Sequence, residues 1–231
     1  MDYILHGFLQ GFVLLFSGND ETYSAIWATV YASSLSMTAS LLIGVPLGFL
    51  LGYHEFRGKK VVRTLVDTLL SFPTVVIGLM VYALLTRNGP LGATGLLFTV
   101  PGMALGQAIL GLPIIVAMTA NAVETLDKRL PQTLLTLGAD PRQVLWATVT
   151  EARFAIILAA MAAYGRIVSE VGISMMVGGN IKWHTRTITT AIALETGKGE
   201  FALGIALGMV LLAVALTVNI VASGLKRRAR Q

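Results

Sequence analysis

The sequence predicts an all-α integral membrane protein with five transmembrane helices and an N-terminal amphipathic helix that lies in the membrane interface. Of its 231 residues, 55% are hydrophobic and 13% are charged, and the mean hydropathy is +0.75. Soluble proteins carry about 25% charged residues, and a soluble core of this size could not hide so many apolar side chains. At about 20 residues a span, the chain has room for five or six spans, which excludes a sizeable soluble domain.

The N-terminal segment Asp2–Phe16 has apolar residues at helical spacing, while Asp2, His6 and Gln10 share the opposite face. It is too short to cross a hydrocarbon core of about 30 Å at about 1.5 Å per residue. We therefore expect an interfacial helix. A signal peptide is the weaker alternative, because Asp2 and His6 replace the basic residues that begin such peptides and no small-x-small cleavage site follows.

Five later runs are long and apolar enough to span a membrane. They extend from about Ile26 to Gly52, Leu65 to Leu85, Thr99 to Val123, Phe154 to Val177 and Ala202 to Gly224. In the first run Gly44, Gly48 and Gly52 share one face, the spacing at which helices pack closely in lipid. In the second run Pro73 removes a backbone hydrogen bond and predicts a kink.

The fourth run contains two charged residues at membrane depth, Arg166 and Glu170, which are four residues apart and so share a helix face. On insertion scales each costs at least about 2.5 to 3.5 kcal/mol unless it is paired or hydrated. Both are expected to face protein or a water-filled path. The sequence leaves open whether they line that path or only join spans together. Beyond this run, the semi-apolar segment Thr187–Leu194 predicts a re-entrant or surface helix.

The longest polar stretch, Glu124–Arg153, predicts two short helices that meet at a rigid corner. Gly138 suits the left-handed residue that ends one helix. Asp140 suits the N-cap of the next helix, Pro141 suits its first turn, and Gln143 completes a capping box.

The positions of the basic residues predict the orientation of the chain. Twelve of the 17 Lys and Arg residues lie in three regions that five spans would place on one side, namely Arg57, Lys59, Lys60, Arg63, Lys128, Arg129, Arg142, Arg153, Lys226, Arg227, Arg228 and Arg230. The positive-inside rule makes that side the cytoplasm, with the N-terminus outside and the C-terminus inside. The net charge of +5 therefore reports topology, and no nucleic-acid partner is expected.

Catalytic constellations are missing from the sequence. It has no cysteine, which excludes disulfides, thiolate metal sites and cysteine nucleophiles. It has no H-E-x-x-H or G-x-S-x-G motif, and Gly197-Lys198-Gly199 lacks the rest of a phosphate-binding loop. We expect neither enzymatic activity nor a metal site or cofactor in this chain. Transport, conduction or scaffolding remain, and a rigid cytoplasmic corner favours a protein driven by a cytoplasmic partner.

Several motifs carry a resemblance to a known family. The segment from Gln132 to Asp140 resembles the cytoplasmic E-A-A-x-x-x-G loop of ABC importer permeases, with Gln132 standing in place of the Glu. Four further segments are similar to the molybdate, sulfate and tungstate permease group, namely Ser71–Leu79, Asn88–Gly92, Gly165–Gly172 and Val177–Ile181, while Thr185–Glu200 is close to the tungstate-type branch.

This resemblance implies a single permease domain over residues 1–231 with the type I ABC importer (MetI-like) fold, in a bacterial or archaeal plasma (inner) membrane. It implies a homodimer in lipid, two cytoplasmic ATPase subunits that bind ATP and Mg²⁺, and an extracytoplasmic oxyanion-binding protein. The ATPases would dock on a coupling region at residues 126–153, whose central residues are Gln132, Leu137, Gly138, Ala139, Asp140, Pro141 and Arg142.

The expected activity is import of an oxyanion, tungstate first and molybdate or sulfate as alternatives. A channel or a secondary transporter without an ATPase, or a membrane scaffold, stays open as a different class. A dianion crossing a low-dielectric region needs donors that do not trap it, and the candidate path residues are Ser71, Pro73, Thr74, Arg166 and Glu170.

Overall fold

The computed structural model describes residues 9, 12, 13, 19–127 and 129–228, and the regular elements in this part of the chain are helical. They are α1 (Asp20–Tyr53), α2 (Lys59–Leu70), α3 (Thr74–Leu85), a 3-10 turn (Gly92–Thr94), α4 (Val100–Glu124), α5 (Arg129–Thr136), α6 (Pro141–Val168), α7 (Gly172–Gly178), α8 (Ile188–Gly197) and α9 (Phe201–Arg228). The interfacial helix predicted for Asp2–Phe16 lies outside the described residues apart from three of its positions, so it stays a prediction.

Four of these helices, α1, α4, α6 and α9, are long and apolar enough to cross a membrane. The pair α2 and α3 is apolar enough when taken together, but its two members are bent by 97°. The part of the chain that the structure describes thus has four unbroken candidate spans, or five if the bent pair crosses the membrane as one.

The bent pair occupies the region of the second predicted span. The bend predicted at Pro73 is confirmed, but a kinked continuous helix was wrong, because the helix stops at Leu70 and restarts at Thr74 with Pro73 as its N-cap. The Ser71 N–H bonds back to the Thr68 carbonyl at 3.1 Å, which closes α2 with a tight turn. Proline then has no N–H with which to continue the helix.

The core is built around α4, which contacts α1, α2, α3, α6 and α7. Its closest neighbour is α1, and the predicted glycine face lies in their contact. A Cβ added to Gly48 would lie 2.7 Å from both the Thr119 Cβ and the Val116 carbonyl oxygen, and one added to Gly52 would lie 2.7 Å from the Ala120 carbonyl oxygen. Only glycine permits the two backbones to approach this closely.

The third predicted span matches α4, whose first turn is capped by Thr99. The fourth predicted span extends past the end of its helix. α6 begins at Pro141, and it ends at Val168 rather than near Val177. Ser169 and Glu170 interrupt the helix, and α7 follows as a separate short element. The interruption is stabilised by Glu170, whose Oε1 accepts the Ile173 N–H at 3.1 Å.

The segment predicted as a re-entrant or surface helix forms α8. Thr187 and Thr190 make a capping box at its start, and Ile188 and Ala191 are buried in a cluster with α9 residues. One face of α8 is therefore packed into the protein, and its place as a re-entrant or surface helix stays a prediction.

We predict that Gly48→Ala destabilises the protein, because the added methyl would overlap the backbone of α4. Overpacking of this kind costs about 1 to 3 kcal/mol, and thermal unfolding of the purified protein in detergent would measure it. Gly208→Ala is the matched control, since Gly208 is also a helical glycine and a Cβ there meets no atom within 4 Å. Equal melting temperatures for the two variants would contradict the close approach of α1 and α4.

Candidate functional site

The polar corner between α5 and α6 is built by local backbone chemistry. At the end of α5 the Gly138 N–H bonds to the Leu135 carbonyl and the Ala139 N–H to the Leu134 carbonyl, both at 3.0 Å. This pair of bonds is a Schellman motif, and it requires the left-handed conformation that Gly138 adopts at φ 85°.

The start of α6 is also fixed by local hydrogen bonds. The Asp140 side chain accepts the Gln143 N–H at 2.8 Å, the Gln143 side chain accepts the Asp140 N–H at 2.9 Å, and Pro141 occupies the first turn. The predicted left-handed glycine and capping box are therefore confirmed. The prediction of two short helices was half wrong, because α6 continues for 28 residues and is itself a candidate span.

The corner presents apolar side chains to its surroundings. Gln132, Leu137, Gly138, Asp140, Pro141 and Arg142 are exposed, and Ala139 is half-buried. Leu137 is 78% exposed and Trp146, on the first turns of α6, is 70% exposed. Exposed large apolar groups around a rigid turn are typical of a surface that binds another protein.

The second candidate site lies at the other end of α6. Arg166 stands 26 residues after Asp140 on one continuous helix, which places it about 39 Å away at about 1.5 Å per residue. This exceeds the hydrocarbon thickness of about 30 Å. The structure therefore separates the predicted coupling residues from the predicted path residues, and α6 connects them.

Arg166 and Glu170 form an ion pair with 3.3 Å between Arg166 Nη1 and Glu170 Oε2. The two partners have different surroundings, since the Arg166 side chain is 47% exposed and that of Glu170 is 2% exposed. Because the carboxylate is buried and fixed, it holds the exposed guanidinium of Arg166 in one direction, facing the space outside the protein.

Glu170 also connects neighbouring helices. Its backbone carbonyl accepts the Thr189 hydroxyl of α8 at 2.9 Å. A Cβ added to Gly172 would lie 3.3 Å from Glu170 Oε1 and 3.5 Å from Thr74 Oγ1. The structure thus brings Thr74, at the start of α3, beside the Arg166 and Glu170 pair, while Ser71 and Pro73 are exposed at the break before it.

A buried polar contact beside this site was not predicted. Gln107 of α4 is 2% exposed and donates to the Ser174 hydroxyl of α7 at 3.1 Å, and its Oε1 has no hydrogen-bond partner among the described residues. The sequence could have indicated this contact, because Gln107 is an amide in the middle of an apolar run. In lipid such an amide is expected to bond to another part of the protein.

The end of the molecule beyond this site holds backbone in unusual conformations. Phe98, Asn180 and Trp183 have φ of 61°, 51° and 69°, and they are the non-glycine residues with positive φ in the described ranges. The Phe98 N–H bonds to the Val177 carbonyl at 2.9 Å. Glu21 at the start of α1 pairs with Lys182 and Arg186, each at 2.8 Å. Strained residues concentrated at one surface often mark a functional region.

The molecule is a bundle of long apolar helices with a capped corner between α5 and α6 and a polar break between α6 and α7, at Ser169 and Glu170. This is the architecture of a transport permease. The chain belongs to the family of binding-protein-dependent transport system inner membrane components, whose model matches residues 44–231. It is thus an ABC importer permease and a multi-pass membrane protein.

Three curated relatives show where the chain stands in this family. A tungstate uptake system permease protein, TupB, of Campylobacter jejuni is 50% identical over 98% of this chain and 95% of its own length. The protein of the same name from Peptoclostridium acidaminophilum is 36% identical over 96% of this chain and 97% of its own length. The molybdenum transport system permease ModB of Azotobacter vinelandii is 29% identical over 84% of this chain and 90% of its own length.

Solved structures share the fold. The inward-facing MetNI methionine ABC transporter matches with a TM-score of 0.74 and 19% identity, over 90% of this chain and 96% of the matched chain. A bacterial ABC transporter that imports alginate matches with a TM-score of 0.75 and 20% identity, over 95% of this chain and 83% of the matched chain. The predicted type I ABC importer fold is thereby confirmed.

We predict that Glu170→Ala lowers the stability of the purified protein, because it leaves the buried Ile173 N–H without an acceptor. A buried unsatisfied donor costs about 1 to 3 kcal/mol, which thermal unfolding would detect. Glu170→Gln keeps an acceptor oxygen and should lose less. If both variants had the melting temperature of the wild type, the contribution of Glu170 as a cap of α7 would be contradicted.

Proposed function

We propose that this chain is the permease subunit of an ATP-driven importer that takes up tungstate. The observation that carries the proposal is the 50% identity, over 98% of the chain, to the tungstate uptake permease of Campylobacter jejuni. Identity to the molybdenum and sulfate permeases is lower, at 29% for Azotobacter vinelandii and 27% for the sulfate permease CysW of Synechocystis. Molybdate and sulfate are the alternative cargoes.

The corner between α5 and α6 is the proposed docking surface for the ATPase. The residues from Gln132 to Arg142 would seat on a cytoplasmic subunit that binds and hydrolyses ATP with Mg²⁺, while this chain performs no catalysis. Because the Schellman motif and the capping box hold α5 rigidly to α6, a displacement of α5 would move α6 with it. A channel or secondary transporter would have no need of such a surface.

The break between α6 and α7, together with the start of α3 beside it, is the proposed section of the translocation path. Thr74 and Arg166 would offer hydrogen bonds to a tetrahedral dianion, and Ser71 would do so from the exposed turn before Pro73. Glu170 balances the charge of Arg166, so that the anion is attracted without being trapped. Movement of α6 would shift Arg166 relative to Thr74 and so open the path to one side at a time.

The proposed assembly contains two copies of this chain, two ATPase subunits and an extracytoplasmic oxyanion-binding protein, in a bacterial or archaeal plasma membrane. The N-terminus would lie outside and the C-terminus inside. The end that carries Phe98 and Trp183 would then be external and available to the binding protein. The distribution of Lys and Arg supports this orientation.

Stimulation of the ATPase tests this function. The complex would be reconstituted in nanodiscs with its ATPase subunits, and ATP hydrolysis would be measured with the binding protein loaded in turn with tungstate, molybdate or sulfate. Strongest stimulation by the tungstate-loaded protein is expected. Stimulation only by the sulfate-loaded protein would overturn the proposed cargo, and failure of any ATPase to copurify would overturn the class.

We predict that Gly138→Val uncouples ATP hydrolysis from uptake or prevents the ATPase from docking, since a β-branched residue in the left-handed region costs about 1 to 3 kcal/mol. Uptake and copurification would both be measured. Gly199→Val is the matched control, because Gly199 also has φ of 85° and no atom within 4 Å of an added Cβ, but lies at the opposite end of the bundle. Normal uptake and normal copurification of Gly138→Val would contradict the coupling role.

We predict that Arg166→Ala lowers tungstate uptake about tenfold, the effect of losing about 1.4 kcal/mol of interaction with the crossing anion. The complex should still assemble, as judged by size-exclusion chromatography, and Arg166→Lys should retain part of the uptake. Loss of assembly would show instead that the ion pair only joins helices.

A further inference from the structure

An ion cluster at the start of α2 connects this helix to the last residue of α4. Glu124 Oε1 lies 3.2 Å from Lys59 Nζ, and Glu124 Oε2 lies 3.5 Å from Arg63 Nη1. Arg63 also donates to the Asn121 side chain, one turn earlier on α4. Two cations of α2 therefore meet at one carboxylate of α4. Within its own segment Lys59 also pairs with Glu55, at 2.9 Å.

The cluster attaches α2 to α4 through charged side chains. The helix contains no buried residue, and its apolar contact with the core is made through Val66, which packs against Leu51 and Val116. By contrast, the Lys59 and Arg63 side chains are only 14% and 21% exposed. Partly buried ion pairs of this kind are screened less by salt than surface pairs.

Both ends of α2 are points where the chain can bend. Gly58 precedes the helix with φ of 95° and no atom within 4 Å of an added Cβ. Beyond Leu70 the chain turns by 97° into α3, whose first residue is Thr74. A rigid helix between two bends moves as one piece, so a force on its first turn would reach the break beside Glu170.

Glu124 is also close to the coupling corner along the chain. Only Thr125 and Leu126 separate it from Asp127, whose carboxylate accepts the Arg129 N–H at 2.9 Å at the start of α5. A cleft of about 1200 Å³ separates the two helices, lined along the first turns of α2 and, from α5, by Leu130. Glu124 thus bonds to α2 and is joined to the start of α5 by a short stretch of chain.

We propose that Glu124 is a positioning residue that transmits movement of α5 to α2 and so to the break at Ser71–Pro73. This inference rests on the proposed function, because it assigns Glu124 a part in coupling ATP hydrolysis to transport. It gives the importer a second mechanical connection beside α6. One connection moves Arg166 and the other moves Thr74, the two sides of the proposed path.

The test compares Glu124→Gln with Asp67→Asn. The first keeps the side-chain shape and removes the charge that bridges the two helices. The second removes the other carboxylate beside Arg63, which lies 3.7 Å away within α2 itself. In proteoliposomes with the ATPase and binding protein, Glu124→Gln should consume several-fold more ATP per tungstate imported, while Asp67→Asn and Glu124→Asp stay near the wild type.

Hydrogen exchange followed by mass spectrometry supplies a readout that does not depend on the cargo. In the wild-type complex, ATP should change the exchange of amides in Lys59–Leu70, and this change should be lost in Glu124→Gln but kept in Asp67→Asn. A purely structural role would raise exchange equally with and without ATP. An ATP response of α2 that survived in Glu124→Gln, or was missing from the wild type, would overturn the proposal.

The two readouts separate this proposal from the proposed function. If the wild-type complex hydrolysed ATP and imported no tungstate, the cargo assignment would fail, and hydrogen exchange would still decide whether Glu124 transmits movement. If tungstate uptake were normal and Glu124→Gln left both the ATP cost of uptake and the exchange of α2 unchanged, the role of Glu124 alone would fail.

Discussion

The close approach of α1 and α4 at Gly44, Gly48 and Gly52 is the constraint on which the other elements depend. In lipid no hydrophobic exclusion holds helices together, so contact between backbones and complementary small surfaces must do so. With α1 fixed against it, α4 offers its remaining faces to α2, α3, α6 and α7. The elements that carry polar groups, the bent pair and the α6–α7 break, are therefore arranged around one rigid pair of helices.

Where a helix is interrupted within a membrane, the free backbone N–H and C=O groups must find hydrogen-bond partners in the protein itself. Here those partners are side chains that also make other interactions. Glu170 caps α7 and pairs with Arg166, and its carbonyl accepts a bond from Thr189. In the proposed function the same groups that satisfy the break face the crossing anion. In that proposal the chain needs few charged residues, because partner subunits would supply the energy.

The sequence predicted most reliably the features that depend on neighbouring residues. The left-handed Gly138, the capping box of Asp140 and the glycine face of α1 follow from local rules, and the structure confirms each. The end of the fourth span was wrong, because a run of apolar residues does not reveal that Glu170 will cap a new helix. The contacts of Gln107 with Ser174 and of Glu124 with α2 were out of reach for the same reason, since they join residues that are distant in the chain. The assignments of coupling and path residues remain predictions.

In the proposed function this chain moves an oxyanion with energy that a partner ATPase supplies. Uptake of tungstate into proteoliposomes that contain the chain, its ATPase subunits and the binding protein tests it most directly, with ATP and a proton gradient supplied separately. Uptake should require ATP on the side of the membrane that carries the ATPase subunits, which is the vesicle interior. It should continue when an ionophore collapses the proton gradient. Uptake that persisted without ATP and stopped with the ionophore would contradict the claim and identify a secondary transporter instead.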